Sequence, residues 1–172
     1  MLKFCGVLLI ILSGSGMGFR AAYNMRLRLE QLKQLKKAFL LLKGEIRYSH
    51  QPMNVALQTA AEKMEEPVSG IFRETAGQLE KFDGRLMYDI WCETLKEHRE
   101  EFMLTNRQMN FLEDIGNTLG YLDKEMQMNH FDLHLEQLNQ EIEEEEKNMK
   151  DSARLYRCLG VMGSILVTLI LV

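Results

Sequence analysis

The sequence predicts an all-α protein: an antiparallel helical bundle of about six helices, flanked by N- and C-terminal transmembrane helices. Three observations carry that expectation. Only two prolines occur in 172 residues, and no Pro-, Gly- or Ser-rich stretch interrupts the middle, so long helices need no break. Leu, Met, Glu, Lys and Gln dominate the middle while Val and Ile are sparse there, which favours helix over strand. Finally, Phe4–Phe19 and Cys158–Val172 carry no charged side chain, whereas the roughly 138 residues between them are rich in Lys, Glu, Arg and Asp. The expected organisation is an N-terminal transmembrane helix over 1–22, a helical domain over 23–154 and a C-terminal transmembrane helix over 155–172.

Each element has its own signal. From about Arg20 to Tyr48, Leu32, Leu35, Phe39, Leu42 and Ile46 recur at three- and four-residue spacing and form one apolar stripe, with Lys33, Lys36, Lys37 and Lys43 off it. Pro52 suits the first turn of a second helix, whose compact face holds Val55, Ala56, Leu57, Ala60, Ala61 and Met64. Pro67 opens a third, with Ile71, Phe72, Leu79 and Phe82 inward, and Asp83-Gly84 ends it in a turn. A fourth, near Arg85 to His98, offers Leu86, Ile90, Trp91 and Leu95, with Trp91 as a core anchor. Thr105 or Asn106 caps a fifth carrying Leu112, Ile115 and Leu119. Gly116 and Gly120 then allow close helix contact or a turn. Asp123 can cap a last helix that runs from Lys124 towards the C-terminus, with Phe131, Leu135, Leu138 and Ile142 as its stripe.

The apolar runs are 16 and 15 residues long, short of the ~20 that a bilayer core asks for. Ala21, Ala22 and Tyr23 extend the first beyond Arg20, and Leu155 and Tyr156 extend the second beyond Arg157, with the arginines snorkelling to the headgroups. Basic residues flank both inner edges: Arg20, Arg26 and Arg28 on one side, Arg154 and Arg157 on the other. By the positive-inside rule the middle domain faces the cytoplasm and both termini lie on the far side. A cleaved signal peptide also fits the N-terminal run, with Lys3 as its basic start and Ser13–Gly18 as a place for cleavage.

Charge is polarised along the chain. Arg20–His50 holds eight basic and two acidic residues, whereas Gln51–Arg157 holds twelve basic and twenty-three acidic. The basic third suits a solvated face beside anionic lipid or an acidic partner. The acidic balance of the whole, with no basic–aromatic groove pattern, argues against nucleic acid. Three scattered cysteines, Cys5, Cys92 and Cys158, form no disulfide framework and no metal spacing. His130 and His134 stand four apart, but two ligands do not make a zinc site, and two solvent-side histidines are the expectation. No phosphate loop, nucleophile elbow or CxxC pair is present, so neither a cofactor nor a small-molecule substrate is expected, and the chain reads as non-enzymatic. Glu141, Glu143, Glu144, Glu145 and Glu146 form an acidic, solvated face that could receive a basic partner.

The segment IGNTLGYLDKEMQ, the acidic helix after it and LYRCLGVMGSILVTLILV together resemble the stage III sporulation protein AB family of endospore-forming bacteria. The opening MLKFCGVLLII and LKKAFLLLKGEIRYSHQPMNVAL are similar to it too, so the resemblance runs from Met1 to Val172. Ile115-Gly116, Leu119-Gly120, Asp123 and Leu159-Gly160 fall in that family's order, and Trp91 with Leu95 also fits. The resemblance implies a membrane component of the channel apparatus between mother cell and forespore, placed in the outer forespore membrane. It implies a cytoplasmic domain similar to the inner-membrane platform protein of type II secretion and type IV pilus machines. A secretion-type ATPase, the AA protein of the same operon, would dock on that domain, with other membrane channel components as further partners. A generic membrane-anchored scaffold at a septum and a histidine-based metal sensor are the alternatives.

Overall fold

A computed structural model describes the backbone of residues 2–49, 51–81, 84–120 and 124–171, and side chains over 20, 22–48, 51–81, 84–120 and 125–152. Among the described residues every regular element is helical. α1 is Leu2–Gly44, closed by a π-helical turn at Glu45–Ser49; α2 is Met53–Ala61, α3 Val68–Leu79 and α4 Met87–Glu97; a 3₁₀ turn at Arg99–Glu101 precedes α5, Asn106–Leu119, and α6 is Lys124–Leu171. The chain divides into two units. One holds Met1–Leu29 and Glu143–Val172, the other Glu30–Ile142.

In the larger unit the helices alternate in direction. Lys36 Nζ donates to Asn139 Oδ1 at 2.6 Å and Lys43 pairs with Asp132, so seven residues forward on α1 are seven residues back on α6. At one end of this unit Gln34 meets Glu65, Gln31 meets Glu101 and Met103, and Gln108 meets Glu141. At the other, Asn54 meets Glu80, Arg85 meets Gln78, and Gln127 meets Thr118 and Leu119.

The predicted stripe of α1 is the heart of the core. Leu32, Leu35, Phe39 and Leu42 are buried, while Ile46, displaced by the π turn, is only half-buried. Phe39 packs on Phe72, Trp91 and Phe131 with ring centroids 5.5, 6.0 and 6.5 Å apart, and Phe72 meets Trp91 edge-on at 5.5 Å. Such a cluster adds roughly 0.5–1.5 kcal/mol per aromatic pair beyond the area it buries. The indole N–H of Trp91 donates to the Leu112 carbonyl at 2.7 Å, which satisfies the only polar atom of the ring. Gly116 gives this ring its room: a Cβ there would stand 2.5 Å from Trp91 Cδ1. The expectation of a close helix contact at Gly116 is met, between α5 and α4.

Both ends of α5 are closed by side chains. Thr105 caps α5 in a capping box, its hydroxyl accepting from the Gln108 N–H at 3.3 Å while Gln108 Oε1 accepts from the Thr105 N–H at 3.0 Å. Gln127 Nε2 donates to the Thr118 and Leu119 carbonyls, two of those the C-terminus of α5 leaves without a helical donor. Gln31 does the same for the extended link before α5, donating to the Glu101 carbonyl at 3.2 Å and accepting from the Met103 N–H at 2.8 Å. Pro52 and Pro67 stand one residue before α2 and α3 rather than inside their first turns. Gly84 has φ 79°, a left-handed conformation that favours glycine, as the predicted turn requires.

Two inward expectations fail. Val55 is 39% exposed, because the buried face of α2 is Ala56, Leu57, Ala60 and Ala61 and Val55 lies one helical step off it. Leu86 is 68% exposed, since it precedes α4 in extended conformation and so leaves the stripe of Ile90, Trp91 and Leu95. Leu79 is half-buried, and Phe82, Asp83 and Asp123 lie outside the described residues. In the smaller unit Arg28 Nη1 bonds Glu145 Oε1 at 3.2 Å, joining its α1 and α6 parts. Among the described residues no helix is long and apolar enough to cross a membrane. The side chains of the two apolar runs lie outside the described residues.

Candidate docking surfaces

The acidic run of α6 does not form one face. The Glu141 carboxylate turns towards the start of α5, where Arg107 Nη2 reaches its two oxygens at 2.9 and 3.0 Å and Gln108 Nε2 donates at 3.0 Å. Glu145 is buried against Arg28. Glu143 and Glu144 are exposed and Glu146 is half-buried. The expected five-residue solvated face is therefore corrected: helical spacing turns every fourth residue inward, and Glu141 and Glu145 stand four apart. Of the flanking basic residues, Arg20 and Arg26 are exposed, Arg28 serves the helix–helix ion pair, and Arg154 and Arg157 lie outside the described residues.

A second acidic array lies elsewhere. Asp89, Glu93 and Glu97 follow one another at four-residue spacing along the exposed side of α4, and Glu113 and Asp114 face them from α5. Between the helices opens a groove of about 560 Å³ lined by Tyr88, Asp89, Cys92, Glu93, Lys96, Glu97 and Glu113. Arg85 Nη1 holds Glu93 at 2.7 Å. Burial pushes the Cys92 thiol above its ordinary value, and the Glu113 and Asp89 carboxylates add to that. Tyr88 is raised too, first by its hydrogen bond to Cys92, and further by desolvation and the Glu113 and Asp114 carboxylates. Both groups thus stay neutral near pH 7, and the negative charge of the groove comes from its carboxylates. The four-residue spacing of Asp89, Glu93 and Glu97 is visible in the sequence; their convergence with Glu113 and Asp114 is a tertiary fact.

His98, just beyond α4, is held from both sides. Its Nε2 lies 2.8 Å from Glu74 Oε2 on α3 and its Nδ1 2.8 Å from Glu101 Oε1 on the 3₁₀ turn. Desolvation works against the charged ring, but the hydrogen bonds to Glu74 and Glu101 outweigh it and its pKa is raised. The same bond to His98 holds the Glu74 carboxyl below its usual value. His134 is not the solvent-side residue expected. It is half-buried with Nε2 3.0 Å from Thr118 Oγ1 and its ring 5.6 Å from that of Phe111, and burial lowers its pKa. Among the described residues no group of three or more His, Cys, Asp or Glu side chains is placed to hold a metal ion.

Residues 3–172 match the family model of stage III sporulation protein AB. The chain belongs to that family. Stage III sporulation protein AB of Bacillus subtilis (strain 168) is 29% identical to it over 171 residues, 99% of either chain. A solved structure of stage III sporulation protein AB superposes with a TM-score of 0.68 at 30% identity, covering 72% of this chain and 97% of that one. Membership gives the chain a role in sporulation. It also accounts for the sequence resemblance, from Met1 to Val172, with a match that spans nearly the whole chain.

Proposed function

We propose that the chain is a membrane-anchored, non-enzymatic platform that docks a secretion-type ATPase in the channel apparatus between mother cell and forespore. The observation that carries this reading is the antiparallel pairing of α1 and α6. Counted outward from Arg28 and Glu145, such a pair brings the Phe4–Phe19 run opposite the Cys158–Val172 run, as two anchors in one bilayer require. The basic residues Arg20, Arg26, Arg28, Arg154 and Arg157 then mark the cytoplasmic edge, in the outer forespore membrane, with both termini on the far side. Membership of a sporulation family supports the setting. The packed helices α2–α5 favour a compact docking domain over an extended scaffold.

The acidic groove between α4 and α5 is the docking surface proposed, with a basic face of the ATPase as its complement. Charge reversal of Asp89 and Glu97 to Lys should weaken capture of the ATPase by the full-length chain at least tenfold at low salt. Reversal of Glu143 and Glu144 should leave capture unchanged. Equal binding by the Asp89/Glu97 variant would remove the groove from the account. Reporters fused at Val172 and inserted near Gly84 should report opposite sides of the membrane, and the same side for both would overturn the anchoring.

A further inference from the structure

The outer faces of α1 and α6 lie side by side in the larger unit, away from the core, and they are opposite in charge. Between Glu30 and Glu45 the chain has no acidic residue and four lysines, whereas between Lys124 and Lys147 it has neither Lys nor Arg. Lys36 and Lys43 reach across the seam to Asn139 and Asp132. Leu40 stands four residues after Lys36 and three before Lys43, so it shares their side of α1, and it is 50% exposed. On α6, Leu133 is 54% exposed and Met126, two turns away, 50%. Lys33 and Lys37 are exposed beside Leu40, Lys37 Nζ also donating to the Lys63 carbonyl at 3.2 Å, and Asp132 and Glu136 are exposed beside Leu133. Scattered surface leucines need no explanation, but here apolar side chains recur on two adjacent helices between a basic rail and an acidic one.

We propose that this face is an isologous interface and that its occupant is a second copy of the chain. A two-fold axis running along the seam, parallel to the helices, lays α1 of each copy on α6 of the other. Such an axis leaves heights along the helices unchanged. Lys36 is level with Asn139 and Lys43 with Asp132, so Leu40 meets Leu133 and Lys37 meets Glu136 to within about two residues, ~3 Å of rise. Every basic rail faces an acidic one, and each contact occurs twice. Both copies of the larger unit present the same end to the same side. It involves neither the α4/α5 groove nor an ATPase.

The test is self-association of the purified full-length chain in detergent micelles at low salt, by sedimentation. The wild type should dimerise. Lys37→Glu and Glu136→Lys, each counted twice in the dimer, should each raise the dissociation constant about tenfold. The double variant Lys37→Glu/Glu136→Lys exchanges the two rails and should return to within about twofold of wild type. Leu133→Arg should abolish dimers. Circular dichroism melts of each variant separate loss of association from loss of fold. A wild type that stays monomeric, single variants that dimerise like wild type, or a double variant weaker than either single one would each overturn the proposal.

Discussion

α4 lies between two regions held by opposite physics. Along its middle, Trp91 is enclosed by Phe39 and Phe72, its one polar atom is satisfied, and Gly116 leaves just enough space for the ring. At its end, His98 is fixed by Glu74 and Glu101 in a half-open polar site. The first region is set by shape and barely responds to solution conditions. The second is set by charge and answers to pH. The difference teaches that position in a bundle is secured by dry packing, while the connections between helices are trimmed by polar contacts whose strength the solvent controls.

Three substitutions test the contrast, in decreasing order of effect. Trp91→Ala should cost about 3–5 kcal/mol, with a loss independent of pH, measured by urea unfolding of the full-length chain. A pH-dependent loss would show that the aromatic cluster is coupled to the charged end. Gly116→Ala should cost about 1–3 kcal/mol, because the indole met by the new methyl is tied to the Leu112 carbonyl and cannot swing aside. A smaller cost would mean that α5 can move away from α4. His98→Gln should cost about 1 kcal/mol near pH 6 and little at pH 9. The raised pKa of His98 contributes stability that is full below the unfolded value, about 6.5, and is lost as pH rises through the higher folded value. The lowered pKa of Glu74 contributes above its unfolded value and is lost as pH falls through the folded one. The window is therefore roughly pH 5 to 6.5, and an equal loss at both pH values would show that the site holds by neutral hydrogen bonding alone.

Much of this was legible in the residues. Spacing alone located Leu32, Leu35, Phe39 and Leu42 as the buried side of α1, though it also included the half-buried Ile46, and Thr105 or Asn106 announced the start of α5, since periodicity and capping are local effects. Gly116 could be read as a contact but not against which ring. Val55 and Leu86 were misplaced because, at the start of a short helix, composition does not fix which side turns inward. Glu141 and Glu145 read as solvated within a run of like residues, and only α5 and Arg28 draw them in. The α4/α5 groove was not singled out in the sequence: the four-residue spacing of Asp89, Glu93 and Glu97 is only half of it, and the partners on α5 come from tertiary packing. Half of the His98 site is local, since Glu101 stands three positions on, but its other partner, Glu74, lies 24 positions away.

Gln31 remains. One amide group bonds the chain on both sides of Phe102, so a side chain of α1 latches the entrance of α5. Moving α1 by one residue along its axis shifts that amide by about 1.5 Å and swings it by about 100°, beyond reach of both backbone partners. A screw-like displacement of the first helix would thus be felt as an unlatching at the threshold of the fifth, far along the sequence from where the push began.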